Sequence, residues 1–208
     1  MDQRFLKEIK REISKNDGGD LGYVAYLSAL GLINEVDPTI SSSIVKEIDD
    51  QRSNLKMIAS ENYCSLPVQL AQANLLTDKY AEGFPYHRFY AGCENVDQIE
   101  GRAADLACQL YGADHAYVQP HSGADANLIA YWSILASKVQ DEFVSNKNKK
   151  DISNLSEEEW KELRGIFGNQ KLLAMNYYSG GHLTHGYRHN FSSRMFECAS
   201  YDVREDTN

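Results

Sequence analysis

The amino-acid sequence predicts an α/β protein that begins with a helical arm. Apolar residues recur at helical spacing over 4–14, close to the N-terminus. A longer stripe of the same period predicts an amphipathic helix over 96–110. A short apolar run over 171–175 is typical of a buried strand. Because predicted helices and strands alternate in the second half of the chain, that half indicates a layered α/β domain.

Helix breakers and caps define the elements of the first third of the chain. The helix over 4–14 ends at residues 16–20, a run of Asn, Asp and Gly. Asp37 and Pro38 predict the start of a second helix, because Asp caps a helix and Pro fits its first turn. A further helix, opened by a proline, is predicted over 67–75.

The middle of the chain predicts a helix, a strand and a second helix in succession. The helix over 96–110 should end at Gly112, since glycine favours the left-handed conformation after a helix. A short strand over 116–118 follows, and then a turn over 119–123. The next helix is predicted over 124–137. This order places the end of a strand beside the start of a helix.

The last part of the chain begins with a polar segment. Residues 138–155 are polar and rich in lysine, which is typical of a surface insertion. Ser156 and Glu159 match a capping box, so a short helix is predicted to start there. The strand over 171–175 then leads into a glycine-rich loop.

Composition limits the classes of function. The chain has 208 residues and is 42% hydrophobic and 25% charged, as in an ordinary soluble domain. Its formal net charge of −9 argues against nucleic-acid binding, because an acidic surface repels phosphate backbones. No apolar run is long enough to cross a bilayer, and the N-terminus does not resemble a signal peptide. With four cysteines and no C-x-x-C pair, the chain is expected in the cytoplasm with reduced thiols.

The turn before the helix over 124–137 has the features of an anion site. Ser122 and Gly123 precede that helix, whose first N–H groups are free and carry partial positive charge. Gly123 allows close approach of the backbone, and Ser122 adds a hydroxyl donor. A phosphate site is one interpretation of this turn. A simple helix cap at Ser122 is the other.

Three histidines follow the strand over 171–175. His182 and His185 are spaced as H-x-x-H, and His189 comes shortly after. A zinc site would need these imidazoles to converge, and no cysteine or carboxylate lies near them in sequence. The flanking glycines also argue against a helix that would align them, so no metal site is predicted. A loop histidine can instead stack on a flat ring or transfer protons near neutral pH, and plain loop structure remains an alternative.

An aromatic segment over 79–92 combines tyrosines with titratable groups. Glycine and proline prevent regular structure there, so the segment must pack against something to cover its aromatic rings. Glu82, a carboxylate among tyrosines, is a candidate general acid–base. An interface loop is the alternative that the spacing leaves open.

Four segments of the chain, in this order, resemble serine hydroxymethyltransferase (glycine hydroxymethyltransferase). They are Leu-Lys-Met-Ile-Ala-Ser-Glu-Asn-Tyr at 55–63, the aromatic segment at 79–92, Val-Gln-Pro-His-Ser-Gly-Ala-Asp-Ala-Asn at 118–127, and Gly-Gly-His-Leu-Thr-His-Gly at 180–186. The resemblance covers roughly residues 37–202 apart from the polar insertion. The insertion and the phrase Ser-Gly-Ala-Asp within 118–127 most resemble the chlamydial-type branch of the family.

The resemblance implies a fold and a reaction. Residues 1–66 would form an N-terminal helical arm, and 67–208 the beginning of the large domain of a fold-type I (aspartate aminotransferase-like) enzyme that uses pyridoxal 5'-phosphate (PLP). The polar insertion would occupy about 138–170 of that domain. The reaction transfers the hydroxymethyl unit of serine to tetrahydrofolate, the co-substrate, and yields glycine and 5,10-methylenetetrahydrofolate. The family also implies a homodimer with shared active sites, without a nucleic-acid or membrane partner.

The resemblance further implies cofactor-binding residues. Ser122, Gly123 and the backbone of Ala124 would bind the PLP phosphate, and His182 would stack on the pyridine ring. Ala124 departs from the family pattern, because many relatives carry a hydroxyl residue there and one side-chain donor is therefore missing. Tyr80 would reach the cofactor in the partner subunit.

Catalytic and substrate roles are carried over in the same way. Ser60 would help to hold the substrate carboxylate, and Glu82 would transfer a proton near the serine hydroxyl and the folate. Tyr90, like Tyr80, would enter the partner's site, and its neighbour Phe89 stands where many relatives have tyrosine. His182 is a catalytic candidate as well as a cofactor contact. The positions expected to line the folate pocket are Tyr177, Gly181 and Leu183.

One family feature does not occur in these 208 residues. The lysine that carries PLP follows a threonine-rich stretch and a histidine, and no lysine of this chain has that context. We therefore expect an N-terminal portion of the enzyme that is inactive by itself. A threonine-aldolase-like PLP enzyme is an alternative, against which Glu82 and the segment at 180–186 argue. A non-catalytic truncated product that only binds a partner chain is another.

Overall fold

The structure, a computed structural model, describes residues 3–15 and 19–203. The chain divides into two compact units, of which the first ends at Glu82 and the second begins at Gly83. The boundary predicted between residues 66 and 67 stays a prediction. Among the described helices, none combines the length and apolar character that crossing a membrane requires.

The first unit is built from helices. They are α1 Gln3–Ile13, α2 Leu21–Val36, α3 Pro38–Ser53 and α4 Leu66–Gln72, followed by a 3-10 turn Leu75–Asp78. α2 packs against both α1 and α3. The predicted helix near the N-terminus is confirmed. The predicted cap is also confirmed, because the Asp37 side chain accepts a hydrogen bond from the Thr39 N–H at the start of α3.

The helix predicted over 67–75 is shorter than expected. α4 ends at Gln72, and the chain leaves the helical conformation at Ala73. The Asn74 side chain then accepts a hydrogen bond from the Leu76 N–H, which starts the 3-10 turn. An asparagine that bonds to the backbone two residues ahead competes with helix continuation, and this explains the early end.

A buried carboxylate connects α1 to the start of α2. Glu12 is only 4% exposed, and it accepts hydrogen bonds from the Lys15 ammonium at 2.7 Å and the Asp20 N–H at 3.0 Å. Gly19 has a φ of +65°, and a Cβ atom there would lie 2.3 Å from the Glu12 carbonyl oxygen. Part of the predicted break at 16–20 lies outside the described residues, and its last two residues form this contact.

The second unit contains helices and two small sheets. The helices are α5 Glu94–Tyr111, α6 Gly123–Leu135, α7 Asp141–Asn146, α8 Glu157–Gly168, α9 Leu183–Gly186 and α10 Phe191–Met195. Strands β1 Gly83–Phe84 and β2 His87–Arg88 form an antiparallel hairpin. Strands β3 Lys171–Met175 and β4 Glu197–Tyr201 pair in parallel, from Lys171 opposite Glu197 to Met175 opposite Tyr201. A parallel pair joined through helices confirms the α/β prediction.

The core of the second unit includes part of the polar segment. It consists of Leu135, Phe143, Leu163, Phe167 and Phe196. Residues 138–155 were expected to be a surface insertion, yet Phe143 and its neighbour Val144 are buried on α7. Apolar burial outweighs the polar character of the segment, so α7 contributes to the core, while Lys147 and Lys149 are half-buried in ion pairs with Glu162 and Glu159 of α8.

Two predicted elements differ from the structure. The strand predicted over 116–118 is wrong: within the described residues this stretch pairs with no other strand. A strand needs a neighbour for its backbone groups, and here the chain runs on unpaired into the turn before α6. The strand over 171–175 forms as predicted, but it is buried on one side only, because Leu173 is 72% exposed.

The helix predicted over 96–110 is confirmed as α5, and Gly112 ends it in the left-handed conformation with φ +62°. Its apolar stripe is less covered than the pattern indicates. Ile99, Leu106 and Leu110 remain 54%, 46% and 76% exposed. Helical periodicity predicted the helix correctly, whereas the covering of its face depends on contacts that periodicity does not encode.

Candidate cofactor and substrate site

The turn that begins α6 offers free backbone donors. Ser122 has an extended backbone, and its Oγ accepts a hydrogen bond from the Asp125 N–H at 3.0 Å. The helix-cap interpretation is therefore confirmed. The N–H groups of Gly123 and Ala124 make no hydrogen bond within the described part of the chain, as expected for the first residues of a helix.

This turn is also open enough for a ligand. Ser122, Gly123 and Ala124 are all exposed, and no heavy atom lies within 4 Å of the Cβ position at Gly123. A helix N-terminus with free N–H groups, a hydroxyl and open space suits a phosphate group. These residues therefore fit the phosphate of PLP chemically.

A buried ion-pair network that the sequence did not predict is hydrogen-bonded to Gln119, the first residue of the turn. The Arg88 side chain is 4% exposed; its Nε lies 2.7 Å from Asp97 Oδ1, and one Nη lies 2.6 Å from Glu100 Oε2. The other Nη donates to the Gly83 carbonyl oxygen at 3.0 Å. The hydrogen bonds to Glu100 and Asp97 raise the pKa of the Arg88 guanidinium. The one sequence signal was the spacing of the two acids, which places them on one face of α5.

Gln119 joins this network to the turn. Its Nε2 donates to Glu100 Oε1 at 2.6 Å and to the Gly83 carbonyl oxygen at 2.8 Å. Its Oε1 accepts from the Tyr117 hydroxyl at 2.8 Å. The side-chain amide of Gln119 is therefore fixed in orientation, because each of its polar atoms has a partner.

The loop after β3 is shaped by a close backbone contact. A Cβ atom at Gly181 would lie 2.0 Å from the Met175 carbonyl oxygen, and the Gly181 N–H donates to the Asn176 carbonyl oxygen at 3.0 Å. Gly180 has a φ of +91°, which favours glycine. The loop therefore folds back tightly on the end of β3 and presents His182.

His182 is exposed and its ring orientation is set by the backbone. Nδ1 accepts a hydrogen bond from the Thr184 N–H at 3.1 Å at the start of α9. Nδ1 must be unprotonated to accept, so the proton of the neutral ring is on Nε2. A ring held in this way can stack on a flat ligand, and the family resemblance implies that this ligand is PLP.

The three histidines do not converge. The His182 and His185 rings lie 5.6 Å apart, the His185 Nδ1 lies 2.6 Å from the Tyr131 hydroxyl, and the His189 ring lies 4.9 Å from that of Tyr187. Over residues 3–15 and 19–203, no three His, Cys, Asp or Glu side chains gather as a metal site would require.

The predicted folate residues lie on the same loop as His182. Tyr177 is 43% exposed, and its ring lies 5.4 Å from that of Tyr178 and 5.7 Å from that of Tyr187. Leu183 is 47% exposed, and Gly181 stands between them in sequence. The Tyr177 ring and the Leu183 side chain are thus each accessible to a flat heterocycle.

Ser60 lies in the first unit, in a cleft of about 360 Å³. The cleft is lined by Glu47, Gln51, Lys56, Ser60, Glu61, Asn62 and Tyr63. The Lys56 ammonium lies 3.8 Å from Glu47 Oε1. The cleft therefore combines the Ser60 hydroxyl with the Lys56–Glu47 ion pair and a second carboxylate, Glu61.

The aromatic segment at 79–92 divides between the two units. Tyr80, 70% exposed, and Glu82, also exposed, end the first unit. Phe89 and Tyr90, 78% and 51% exposed, follow β2 in the second unit. Ser122 and His182 belong to the second unit, where Tyr131 on α6 contacts His185 in the His182 loop. Ser60, Tyr80 and Glu82 belong to the first unit.

Comparison with known proteins gives a consistent result. The family model for serine hydroxymethyltransferase matches residues 33–147. Serine hydroxymethyltransferase of Treponema pallidum is 60% identical over 185 residues, which cover 89% of this chain and 32% of that protein. The Mycolicibacterium smegmatis enzyme is 50% identical over 191 residues, covering 92% and 39%. The Chlamydia trachomatis enzyme is 50% identical over 204 residues, covering 98% and 41%. The chain thus spans 32% to 41% of the length of these relatives.

Proposed function

Because this chain belongs to the serine hydroxymethyltransferase family, we propose that it supplies part of an active site that transfers the hydroxymethyl unit of serine to tetrahydrofolate. The products are glycine and 5,10-methylenetetrahydrofolate. The fold is the α/β fold of the family's fold-type I PLP enzymes. The observation that carries the proposal is the Ser122 turn, where an open helix N-terminus lies within the segment that matches the family.

The cofactor residues follow from this turn and from the His182 loop. The Ser122 hydroxyl and the N–H groups of Gly123 and Ala124 bind the phosphate of PLP. His182 stacks on its ring, with the imidazole oriented by the Thr184 N–H. When bound, PLP supplies the electron sink for the chemistry at the substrate carbon. Tyr80 contacts the cofactor of the neighbouring subunit.

The substrate residues come from three segments. The Ser60 hydroxyl, which lines a cleft of the first unit, binds the carboxylate of serine. Glu82 holds and transfers a proton at the substrate hydroxyl, and Tyr90 enters the site of the partner subunit. The folate is held by the exposed surface of Tyr177, Gly181 and Leu183.

We further propose that the enzyme is a cytoplasmic homodimer that binds neither nucleic acid nor membranes. The exposed aromatic rings at 79–92 support the dimer, because such rings are costly to leave in water. Within the residues that it describes, the structure shows no disulfide bond among the four cysteines, which fits a reducing compartment. We also propose that the lysine that carries PLP comes from residues other than these 208, so that the chain by itself is inactive.

Two other functions make different predictions. A threonine-aldolase-like enzyme would cleave its amino acid without folate, whereas the proposed reaction needs tetrahydrofolate. A non-catalytic chain that only binds a partner would neither bind PLP nor contribute to the formation of glycine from serine.

A chimera tests the proposed activity. Residues 1–208 replace the matching segment of the Treponema pallidum relative, and serine-dependent formation of glycine is measured with and without tetrahydrofolate. We expect folate-dependent turnover by the chimera and none by the 208-residue chain alone. Turnover without folate would favour the aldolase function, and an inactive but folded chimera would contradict the proposal.

A matched pair of cap variants tests the phosphate site in that chimera. Ser122→Ala removes the hydroxyl donor and the cap of α6, whereas Ser156→Ala removes only the equivalent cap of α8. We expect Ser122→Ala to weaken PLP binding about tenfold or more, since one hydrogen bond to a charged group is lost. Ser156→Ala should leave PLP binding unchanged. Equal losses in both variants would mean that Ser122 acts only as a cap.

A further inference from the structure

We propose that Glu100 and Gln119 are positioning residues that hold the turn at 119–123 in its anion-binding geometry. This inference rests on the proposed function, because it assigns to these two side chains the support of the phosphate-binding turn. Neither residue contacts the phosphate itself; they act through the backbone between Gln119 and Ser122.

The ion-pair network contains two carboxylates, Asp97 and Glu100, for one guanidinium, Arg88. Asp97 alone already neutralises Arg88, with Nε and Oδ1 2.7 Å apart. The Glu100 carboxylate, 14% exposed, is therefore an additional negative charge near the interior, and such a charge is costly unless its oxygens receive hydrogen bonds. Oε2 accepts from Arg88 and Oε1 from Gln119. The Gln119 amide thus supplies the hydrogen bond to the second oxygen of the Glu100 carboxylate.

The Gln119 side-chain amide is held by two hydrogen bonds, one of them to a charged group. One of its amide hydrogens bonds to the Glu100 carboxylate at 2.6 Å, the short distance of a charge-assisted hydrogen bond. The other bonds to the Gly83 carbonyl oxygen of the β1–β2 hairpin. Gln119 is therefore anchored to α5 and to the hairpin together.

The backbone between Gln119 and Ser122 has little conformational freedom. Pro120 has a fixed φ, and a residue before proline is restricted to extended conformations. Between the anchored Gln119 and the capping Ser122, the backbone can then adjust only at the ψ angle of Pro120 and at His121. Fixing the Gln119 side chain consequently restricts where the first N–H groups of α6 point.

Amide hydrogen exchange in the 208-residue chain tests this inference without any cofactor. The reporters are the Asp125 N–H, bonded to Ser122 Oγ, and the Ala126 N–H, bonded to the Ser122 carbonyl oxygen. The reference is the Trp160 N–H in the first turn of α8. We compare Glu100→Gln and Gln119→Ala with Asp105→Asn, which removes an exposed charge from the same helix as Glu100.

We expect Glu100→Gln and Gln119→Ala to speed exchange at the two reporters about tenfold or more, as the loss of a hydrogen bond to a charged group implies. Exchange at Trp160 should stay unchanged, and Asp105→Asn should change neither region. An unchanged rate at the reporters, or an equal rise at Trp160, would overturn the inference. Reporters that exchange as fast as an unstructured peptide in the unchanged chain would overturn it as well.

A second measurement separates this inference from the proposed function. Equilibrium dialysis compares the binding of pyridoxal 5'-phosphate and of pyridoxal, which lacks the phosphate. If the unchanged chain binds both equally, the phosphate site fails, whatever the exchange rates show. If it prefers the phosphate ester, Glu100→Gln should reduce that preference without weakening pyridoxal binding. A double variant, Glu100→Gln with Gln119→Glu, restores a carboxylate–amide bond and should recover part of the preference.

Discussion

The Tyr131 hydroxyl lies 2.6 Å from Nδ1 of His185, which joins α6 to the loop that presents His182. Burial raises the pKa of the Tyr131 hydroxyl, with a further contribution from Cys198, so the hydroxyl keeps its proton near neutral pH. The Tyr131 ring also packs edge-on against Phe196, with centroids 5.7 Å apart. The Tyr131 side chain therefore connects α6, the loop that carries His182 and the core of the second unit.

Tyr131→Phe should lower the stability of the second unit. The substitution keeps the ring contacts with Phe196 and removes only the hydroxyl, so we expect a loss of about 1 kcal/mol in the free energy of unfolding. Urea unfolding followed by fluorescence measures it. Tyr178→Phe is the control, because Tyr178 is 93% exposed and its hydroxyl should contribute nothing. Equal urea midpoints for the two variants would show that the bond to His185 adds no stability.

Gly181→Ala should disrupt the fold-back of the loop on β3. The added Cβ would meet the Met175 carbonyl oxygen at 2.0 Å, and backbone cannot move aside cheaply, so we expect about 1–3 kcal/mol of destabilisation. Gly165→Ala serves as the control, since its Cβ on α8 meets no atom within 4 Å and alanine favours helix by about 0.5–1 kcal/mol. Gly181→Ala should lower the urea midpoint and Gly165→Ala should raise it. A rise in both variants would contradict the close contact between position 181 and the Met175 carbonyl oxygen.

Glu12 should make the first unit sensitive to acid. Its hydrogen bonds with Lys15 and the Asp20 N–H lower the pKa of the carboxyl. A lowered folded-state pKa contributes stability above the unfolded value of about 4.3, and this contribution is lost as the pH falls through the folded value. Glu12→Gln should therefore destabilise the chain at pH 7 and reduce the dependence of stability on pH in the acid range.

Thermal unfolding between about pH 3 and pH 7 measures this dependence. Glu8→Gln is the matched control on the same helix, because the Glu8 carboxylate pairs with Arg11 at the surface, where ion pairs contribute little. If both glutamines flatten the pH profile equally, the loss cannot be attributed to the buried position of Glu12.

Leu163→Ala should be the most damaging single truncation among these variants. Leu163 is fully buried on α8 in the core of the second unit, so we expect a loss of about 2–5 kcal/mol. Leu173→Ala removes the same side chain from a position that is 72% exposed, and it should cost less than about 0.5 kcal/mol. Similar losses at the two positions would mean that Leu173 is covered in solution.

Local signals in the sequence predicted local structure well. The cap at Asp37, the left-handed Gly112 and the capping box of Ser156 with Glu159 all occur as predicted, because each depends on hydrogen bonds within a few residues. The cap at Ser122 is of the same kind. The roles of the predicted site residues in catalysis stay predictions.

Features that depend on distant contacts were not predictable in the same way. Among the residues that the structure describes, the stretch 116–118 has no partner strand, and no property of that stretch alone reveals this. Phe143 is buried inside a lysine-rich segment, whose average polarity concealed one apolar face. The bond between Glu100 and Gln119 joins residues whose side chains meet only after the chain has folded.

The length of α6 between Ser122 and Tyr131 sets a fixed spacing. A helix rises about 1.5 Å per residue and turns about 100° per residue, so Tyr131 lies roughly 13 Å along the axis from Ser122, on a defined side of the helix. One inserted or deleted residue within that stretch would rotate the tyrosine away from His185 while leaving the composition almost unchanged. Substitutions along the exposed side of α6 are therefore tolerable in a way that changes in its length are not.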